Sequence, residues 1–293
     1  MRLSPIQKFQ AALSAFKYRG DIKQLLIRRF WQRNKTFDLG LNGVTVRFDS
    51  SDFLSNILFW HGDHPYGFSL EPSVCDMLGK LVPHSKVYAD VGGNAGTYSI
   101  LPAVLNPNCK VFYFELDQTM KPMVIRNMAL NNLGEDRITI VNGAVGNGGD
   151  PVEYEPHVFS FLGKFTNENI WNYDLKLRAE QIILDEYFAK KGVAPDLLKI
   201  DVDGHETAVL RGMEKILGQT KPHMLLEVHP PLIQQYGSSA AETCGILKSH
   251  GYRFFQMENF RADSPTSLKE IQNFNGLADN EMVFCSCRPP SYL

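Results

Sequence analysis

The stretch running from Val87 through Asp90, Gly92, Gly93, Asn94 and Gly96 to Ser99 narrows the possible folds more than any other part of the chain. Val87, Ala89 and Val91 suit a short buried strand, the small residues after them suit a tight turn, and Thr97 onward suits the opening of a helix. With so little side chain in the turn, its backbone can approach a ligand closely. The first amides of a helix have no partner within it and point outward, which favours an anionic or electron-rich small molecule. A dinucleotide fingerprint starting at Gly92 requires glycine at 94 and 97, where Asn94 and Thr97 stand. That disfavours a pyrophosphate site, and with it a nicotinamide oxidoreductase.

A second signal lies nineteen residues beyond Gly96, where the apolar run Val111-Phe112-Tyr113-Phe114 ends in Glu115. A strand-end acid at about this distance reaches ribose hydroxyls in nucleotide sites. The pattern Asp90-x-Gly92-x-Asn94-x-Gly96 resembles the first motif of class I S-adenosylmethionine-dependent methyltransferases, with Asn94 where many of them carry a second glycine.

The chain has 293 residues and 44% apolar content, enough for one large core. We expect a methyltransferase domain over 68–293, preceded by an extension over 1–67. Five cysteines, an odd number without zinc-like spacing, point to free thiols, a reducing compartment and a cytoplasmic location. No apolar run is long enough to cross a bilayer, and no secretory segment is expected after Met1. Residues 1–35 hold nine Lys and Arg against the single acid Asp21. The plainest expectation is an accessory helix packed on the main domain; peripheral contact with anionic lipid and organelle targeting are the alternatives. The remainder of the chain is acidic and lacks a basic stripe, which argues against a nucleic-acid partner.

Along the chain, Asn42-Gly43 between alternating apolar residues predicts a hairpin. His61, Asp63 and His64 in the loop 59–66 suit surface hydrogen bonding or substrate contact better than metal binding. A helix is expected over 71–81, and the one after the glycine turn should accept Pro102 as an early position. Asp117 should cap a helix ending near Gly134. Strand 138–141 leads into Asn142-Gly143-Ala144, a candidate adenine-side wall. Residues 146–180, rich in aromatic side chains, read as an insertion that covers the site or packs on the sheet. A helix opening at Leu184, a strand at 197–201, a helix ending near Gly218 and a strand at 224–229 stopped by Pro230-Pro231 follow. Ser239 and Glu242 form a capping box, and strands at 252–256 and 280–287 flank a loop of about 23 residues.

Several of these stretches together resemble the FkbM family of methyltransferases. They are Asp90 through Gly96, Phe114-Glu115, Leu184-Asp185-Glu186, Leu198 through Glu206 with Val209 to Gly212, and Leu226 through His229. Asp203 stands where the family usually has Glu. The resemblance implies an α/β class I methyltransferase fold, Rossmann-like, with a seven-stranded sheet, the last strand antiparallel, and helices on both faces. It further implies S-adenosyl-L-methionine as cofactor and a hydroxyl acceptor on a small molecule or glycan, such as a sugar or polyketide. The expected cofactor contacts are Asp90, Gly92, Gly93, Asn94, Gly96, Thr97, Glu115, Asn142, Ala144 and Asp201.

Transfer of a methyl group to an alcohol needs alignment first and then removal of a proton. Asp201, Asp203, His205, Glu206, Glu227 and His229 gather at the ends of two strands that neighbour each other in this fold. Asp201 or His229 is the expected base, with Lys199 and Glu227 as an orienting charge pair; a purely structural ion-pair network is the plain alternative. No metal is assigned. The rivals are a metal-assisted enzyme of the same fold, holding Mg²⁺ on Asp201, Asp203, Glu227 or His229, and a non-catalytic protein that keeps the cofactor pocket.

Overall fold

The computed structural model describes residues 36–49, 71–154, 176–258, 260, 267–277, 280–291 and 293. The basic segment 1–35, the loop 59–66 and the aromatic residues Phe159, Phe161, Phe165, Trp171 and Tyr173 lie outside the described residues.

Strands β1 (Thr36–Leu41) and β2 (Val44–Asp49) pair antiparallel. Asn42 and Gly43 both have positive φ, 49° and 79°, the turn whose twist matches that of flanking strands. Helix α1 (Pro72–Leu81) precedes β3 (Val87–Val91), and α2 (Thr97–Leu105) leads to β4 (Lys110–Glu115). Then come α3 (Lys121–Leu130), β5 (Ile138–Asn142) and four short strands, β6 (Ala144–Val145), β7 (Val152–Tyr154), β8 (Leu177–Ala179) and β9 (Gln181–Ile182). The rest comprises α4 (Leu184–Lys191), β10 (Leu197–Ile200), α5 (Glu206–Arg211), α6 (Glu214–Gln219), β11 (His223–Val228), α7 (Pro230–Gln235), α8 (Ala240–Ser249), β12 (Arg253–Glu258), β13 (Ser267–Ile271) and β14 (Glu281–Ser286).

The main sheet runs β13-β12-β14-β11-β10-β3-β4-β5. The five strands from β11 to β5 pair in parallel, while β14 lies antiparallel between β11 and β12. This is the class I methyltransferase arrangement. Alternation along each strand splits the core: Tyr88, Val111, Tyr113 and Leu225 pack under α1, α2 and α3, whereas Ala89, Val91, Phe112, Leu198 and Leu226 face α4 to α8. Both faces are therefore covered, as a parallel sheet requires. Cys75, Cys109, Cys244, Cys285 and Cys287 are all free thiols.

The sheet has eight strands rather than seven. The extra one, β13, forms within the stretch read from sequence as a loop and adds to the outer edge of β12. It offers only Leu268 to one core and Ile271 to the other, so its apolar pattern is faint. Across the pair, Arg253 donates twice to Glu270, at 2.9 and 2.8 Å.

Three further expectations need correction. Pro102 is the sixth residue of α2, past the turn where a missing amide costs nothing, and the short helix carries it with the ring buried. The helix expected to reach Gly218 is broken in two at Gly212, whose backbone presses on Gly146: a Cβ there would lie 2.0 Å from the Gly146 carbonyl oxygen. Finally, Pro230 and Pro231 do more than end β11, for they are the first residues of α7, a position that suits proline.

Candidate active site

The carboxyl ends of β3, β4, β10 and β11 lie side by side, and a cleft of about 740 Å³ opens above them. Its walls include Gly92, Asn94, Glu115, Gly143, Asp201, Glu227 and His229. The amides of Gly92 and Gly93 both donate to the Phe114 carbonyl, 3.0 Å each, which ties the turn to the neighbouring strand. Glu115 Oε2 accepts from the Asn94 amide at 2.8 Å, and Oε1 accepts from the Asp117 amide at 2.8 Å. Glu115 thus stands on the cleft wall with both oxygens anchored by backbone amides.

The glycines serve a tighter purpose than ligand approach. A Cβ at Gly92 would sit 1.7 Å from the Asp201 carbonyl oxygen, and one at Gly93 would sit 2.4 Å from the Tyr113 ring. The turn packs on its own protein at both points. Asn94 has φ 45°, and its carbonyl accepts from the Tyr113 hydroxyl at 2.5 Å. Its side-chain Oδ1 is buried without a hydrogen-bond partner, on a residue of the cleft wall. An orphaned acceptor there fits a ligand that brings a donor.

Among the residues expected to hold a cofactor, Asp90, Gly93, Gly96, Thr97, Asn142 and Ala144 are not on the cleft wall. Asp90 is fully buried beneath the turn and accepts from Ser99 Oγ at 2.6 Å. Burial pushes its carboxyl up to about 6, against the pull of Lys199 and Ser99. Asn142 lies opposite Glu115 in the sheet register, but Gly143 and Val145 are the residues that reach the cleft.

At the other end of the cleft, the Lys199 ammonium is buried and contacts Asp201 Oδ2 at 2.8 Å, with its Nζ 4.8 Å from the centre of the Tyr98 ring. Its direct partner is thus Asp201, not Glu227 as the sequence suggested. Burial opposes the charge on Lys199, yet Asp201 and then Asp90, Glu71 and Glu227 outweigh it and raise its pKa. For Asp201, burial is likewise overcome, by the Lys199 ammonium, and its carboxyl is held below the usual range. Burial, with the charges of Asp201 and Glu71, drives the Glu227 carboxyl well above that range.

His229 Nδ1 lies 2.6 Å from Glu206 Oε1. Glu206 is fully buried and also accepts from the Gly204 amide at 3.1 Å. Burial alone would lower the pKa of His229, but the hydrogen bond and charge of Glu206, then Asp201 and Glu227, raise it to about 9. That shift favours the imidazolium at neutral pH.

The sign of this shift sets a test. A folded pKa of about 9, above the ordinary value of 6.5, means that His229 stabilises the fold fully below about pH 6.5 and loses that contribution as pH rises through 9. In chelator-washed protein, the gap in melting temperature between wild type and His229→Gln should shrink from pH 6.5 to 9.5. A gap that stays constant or widens would show that Glu206 does not hold a charged imidazole.

Three wall residues, Glu71, Tyr154 and Tyr236, and the buried Glu206 behind the wall had no role assigned from sequence. Glu206 stood in the charged run but could not be matched to His229, since they meet only when α5 packs beside β11. Glu71 accepts from the Tyr98 hydroxyl at 2.9 Å. Tyr154, on β7, accepts from the Gln118 amide at 3.2 Å. Tyr236 is half exposed and stacks on His205, ring centres 4.1 Å apart.

The methyltransferase FkbM domain model matches residues 90–254, more than half of the chain. The chain belongs to the FkbM methyltransferase family. Among solved structures, it resembles the methyltransferase FkbM of Methylobacillus flagellatus KT, at 15% identity and a TM-score of 0.42, with 68% of this chain and 43% of that one covered. The present FkbM domain protein therefore spans less than half of that relative. It also resembles an S-adenosylmethionine-dependent methyltransferase from Agrobacterium tumefaciens (11% identity, TM-score 0.46, covering 87% of this chain and 71% of that one). A third is Pyrococcus horikoshii TYW2, solved in complex with MeSAdo (14% identity, TM-score 0.39, covering 87% and 72%). No curated protein matches the chain.

Proposed function

We propose that this FkbM-family chain is an S-adenosyl-L-methionine-dependent O-methyltransferase acting on a hydroxyl of a small molecule or glycan, with residues 68–293 as the transferase domain and 1–67 as an extension. One observation carries most weight: the glycine turn, Glu115 and the Asp201-Glu227-His229 cluster all line one cleft at the strand ends. Glu115 would grip the ribose, Asn94 and Gly92 the adjoining part of the donor, and Gly143 and Val145 the base. The bound donor supplies an electrophilic methyl group on a sulfonium.

The chain's own residues then have three tasks. Backbone amides and Glu115 set the position of one reactant relative to the other, which is where most of the rate gain arises. Lys199 orients Asp201, and Glu206 orients His229. Proton removal from the acceptor falls to Asp201 or to His229, the latter once a cationic ligand in the cleft has weakened the carboxylates' hold on its proton. The carboxylates gathered around Lys199 and His229 also favour a cationic ligand over its neutral product.

Glu115→Ala is expected to weaken donor binding by about 1 to 3 kcal/mol, the cost of leaving ribose hydroxyls unpaired. Isothermal titration of the donor checks it. Affinity unchanged from wild type would move the ribose away from β4.

A further inference from the structure

We propose that Asp201, Glu227 and His229 form a binding site for one divalent first-row transition cation, of the Mn²⁺ or Zn²⁺ kind. This departs from the sequence expectation of no metal. The cation's role in methyl transfer would rest on the function proposed above, whereas its binding would not.

Each of the three residues offers one ligand atom, and these atoms all lie within 4.8 Å of one another. His229 Nε2 is 3.6 Å from Glu227 Oε1 and 4.0 Å from Asp201 Oδ1. Those separations are too long for hydrogen bonds. They exceed the roughly 3 to 3.5 Å between neighbouring ligands bonded at about 2.0 to 2.2 Å to a shared ion, so side-chain shifts on the order of an ångström close the site. His229 is only 6% exposed, yet no oxygen stands within hydrogen-bonding distance of Nε2 among the described contacts.

Two of the three ligands are held from outside the set. Lys199 takes Oδ2 of Asp201 at 2.8 Å and leaves Oδ1 facing the histidine. Glu206 takes Nδ1 of His229 at 2.6 Å. An ionised carboxylate can only accept, so Nδ1 carries a hydrogen, and Nε2 is the atom turned toward Asp201 and Glu227, its lone pair open to a cation that takes the place of its proton. Carboxylate, imidazole and metal in this order are the usual way a protein fixes a histidine ligand.

Charge agrees with geometry. Asp201, Asp203, Glu206 and Glu227 crowd around His229, with Lys199 as the ammonium in contact, itself committed to Asp201. A dication in place of the proton on Nε2 is balanced by these carboxylates. The imidazole selects against Mg²⁺ and Ca²⁺, which prefer oxygen alone. Three protein ligands leave coordination positions facing the cleft, where solvent or an acceptor oxygen can bind.

The test uses the full chain after chelation and gel filtration, titrated with Mn²⁺ while the six-line spectrum of the free ion is followed by electron paramagnetic resonance. One Mn²⁺ per chain should bind. Glu227→Gln, which keeps the side-chain shape, and His229→Gln should each weaken binding by at least about tenfold, and Glu206→Gln by roughly 10- to 100-fold through loss of orientation. Near-UV circular dichroism verifies that each variant is folded. Wild-type protein that leaves Mn²⁺ free at submillimolar concentration, or folded variants that bind it as well as wild type, would overturn the proposal. Donor calorimetry on the same chelated protein keeps the two ideas apart: donor binding without Mn²⁺ binding removes only the cation, and Mn²⁺ binding without donor binding removes only the transferase assignment.

Discussion

His229→Asn is expected to lower kcat by about 10²- to 10⁴-fold, the range lost when a positioned proton acceptor is removed. Donor affinity should change little, since the glycine turn after β3 and Glu115 on β4 lie two and three strands away from β11 in the sheet. His229 sits where β11 gives way to α7, buried against Glu206 and facing Asp201 and Glu227, so its loss disturbs the whole acceptor end of the cleft. The pH profile separates its two possible tasks. As proton acceptor, His229 must first shed the proton that Glu206 helps to hold, so kcat/KM of the wild type climbs toward pH 9. As ligand to a cation it carries no proton, and the climb moves to lower pH. A variant with wild-type turnover and an unchanged profile would exclude both tasks.

Gly92→Ala should be the most damaging single methyl addition at the site. The residue has φ 82°, a conformation that costs an L-residue about 1 to 2 kcal/mol, and the new Cβ would fall 1.7 Å from the Asp201 carbonyl oxygen. Backbone on both sides has no rotamer to change. Adding an overpacking cost of roughly 1 to 3 kcal/mol gives a loss of about 2 to 5 kcal/mol, on the order of 10 °C in melting temperature. Gly43→Ala is the control: φ is 79°, but nothing lies within 4 Å of the added atom, so only the conformational cost applies. Equal melting temperatures for the two variants would mean that β10 yields freely to the turn.

These two residues also show what the sequence made legible. Gly92 and Glu115 announce themselves by local spacing, because a strand, a turn and the next strand end are close along the chain. Asp201, Glu227 and His229 are visible as charges at the ends of apolar runs. Their partners are not. Lys199 joins Asp201 rather than Glu227 because Oδ2 lies two residues along the same strand end, a choice of rotamer that no spacing encodes. Glu206 meets His229 through the packing of α5, and Tyr154 reaches the cleft from a three-residue strand with too few positions to show a period. Strand β13 escaped notice for a related reason, offering one apolar residue to each face.

The placement of β14 bears on how the protein is made. Strand β11, which leads into His229, can gain its second neighbour only when Glu281–Ser286 arrives from more than fifty residues further along. Until that segment has been made, the edge has no mate, and pairings so distant in sequence form slowly. The half of the cleft built on β3 and β4 can assemble early, whereas the half beside β11 waits for a strand that follows far downstream.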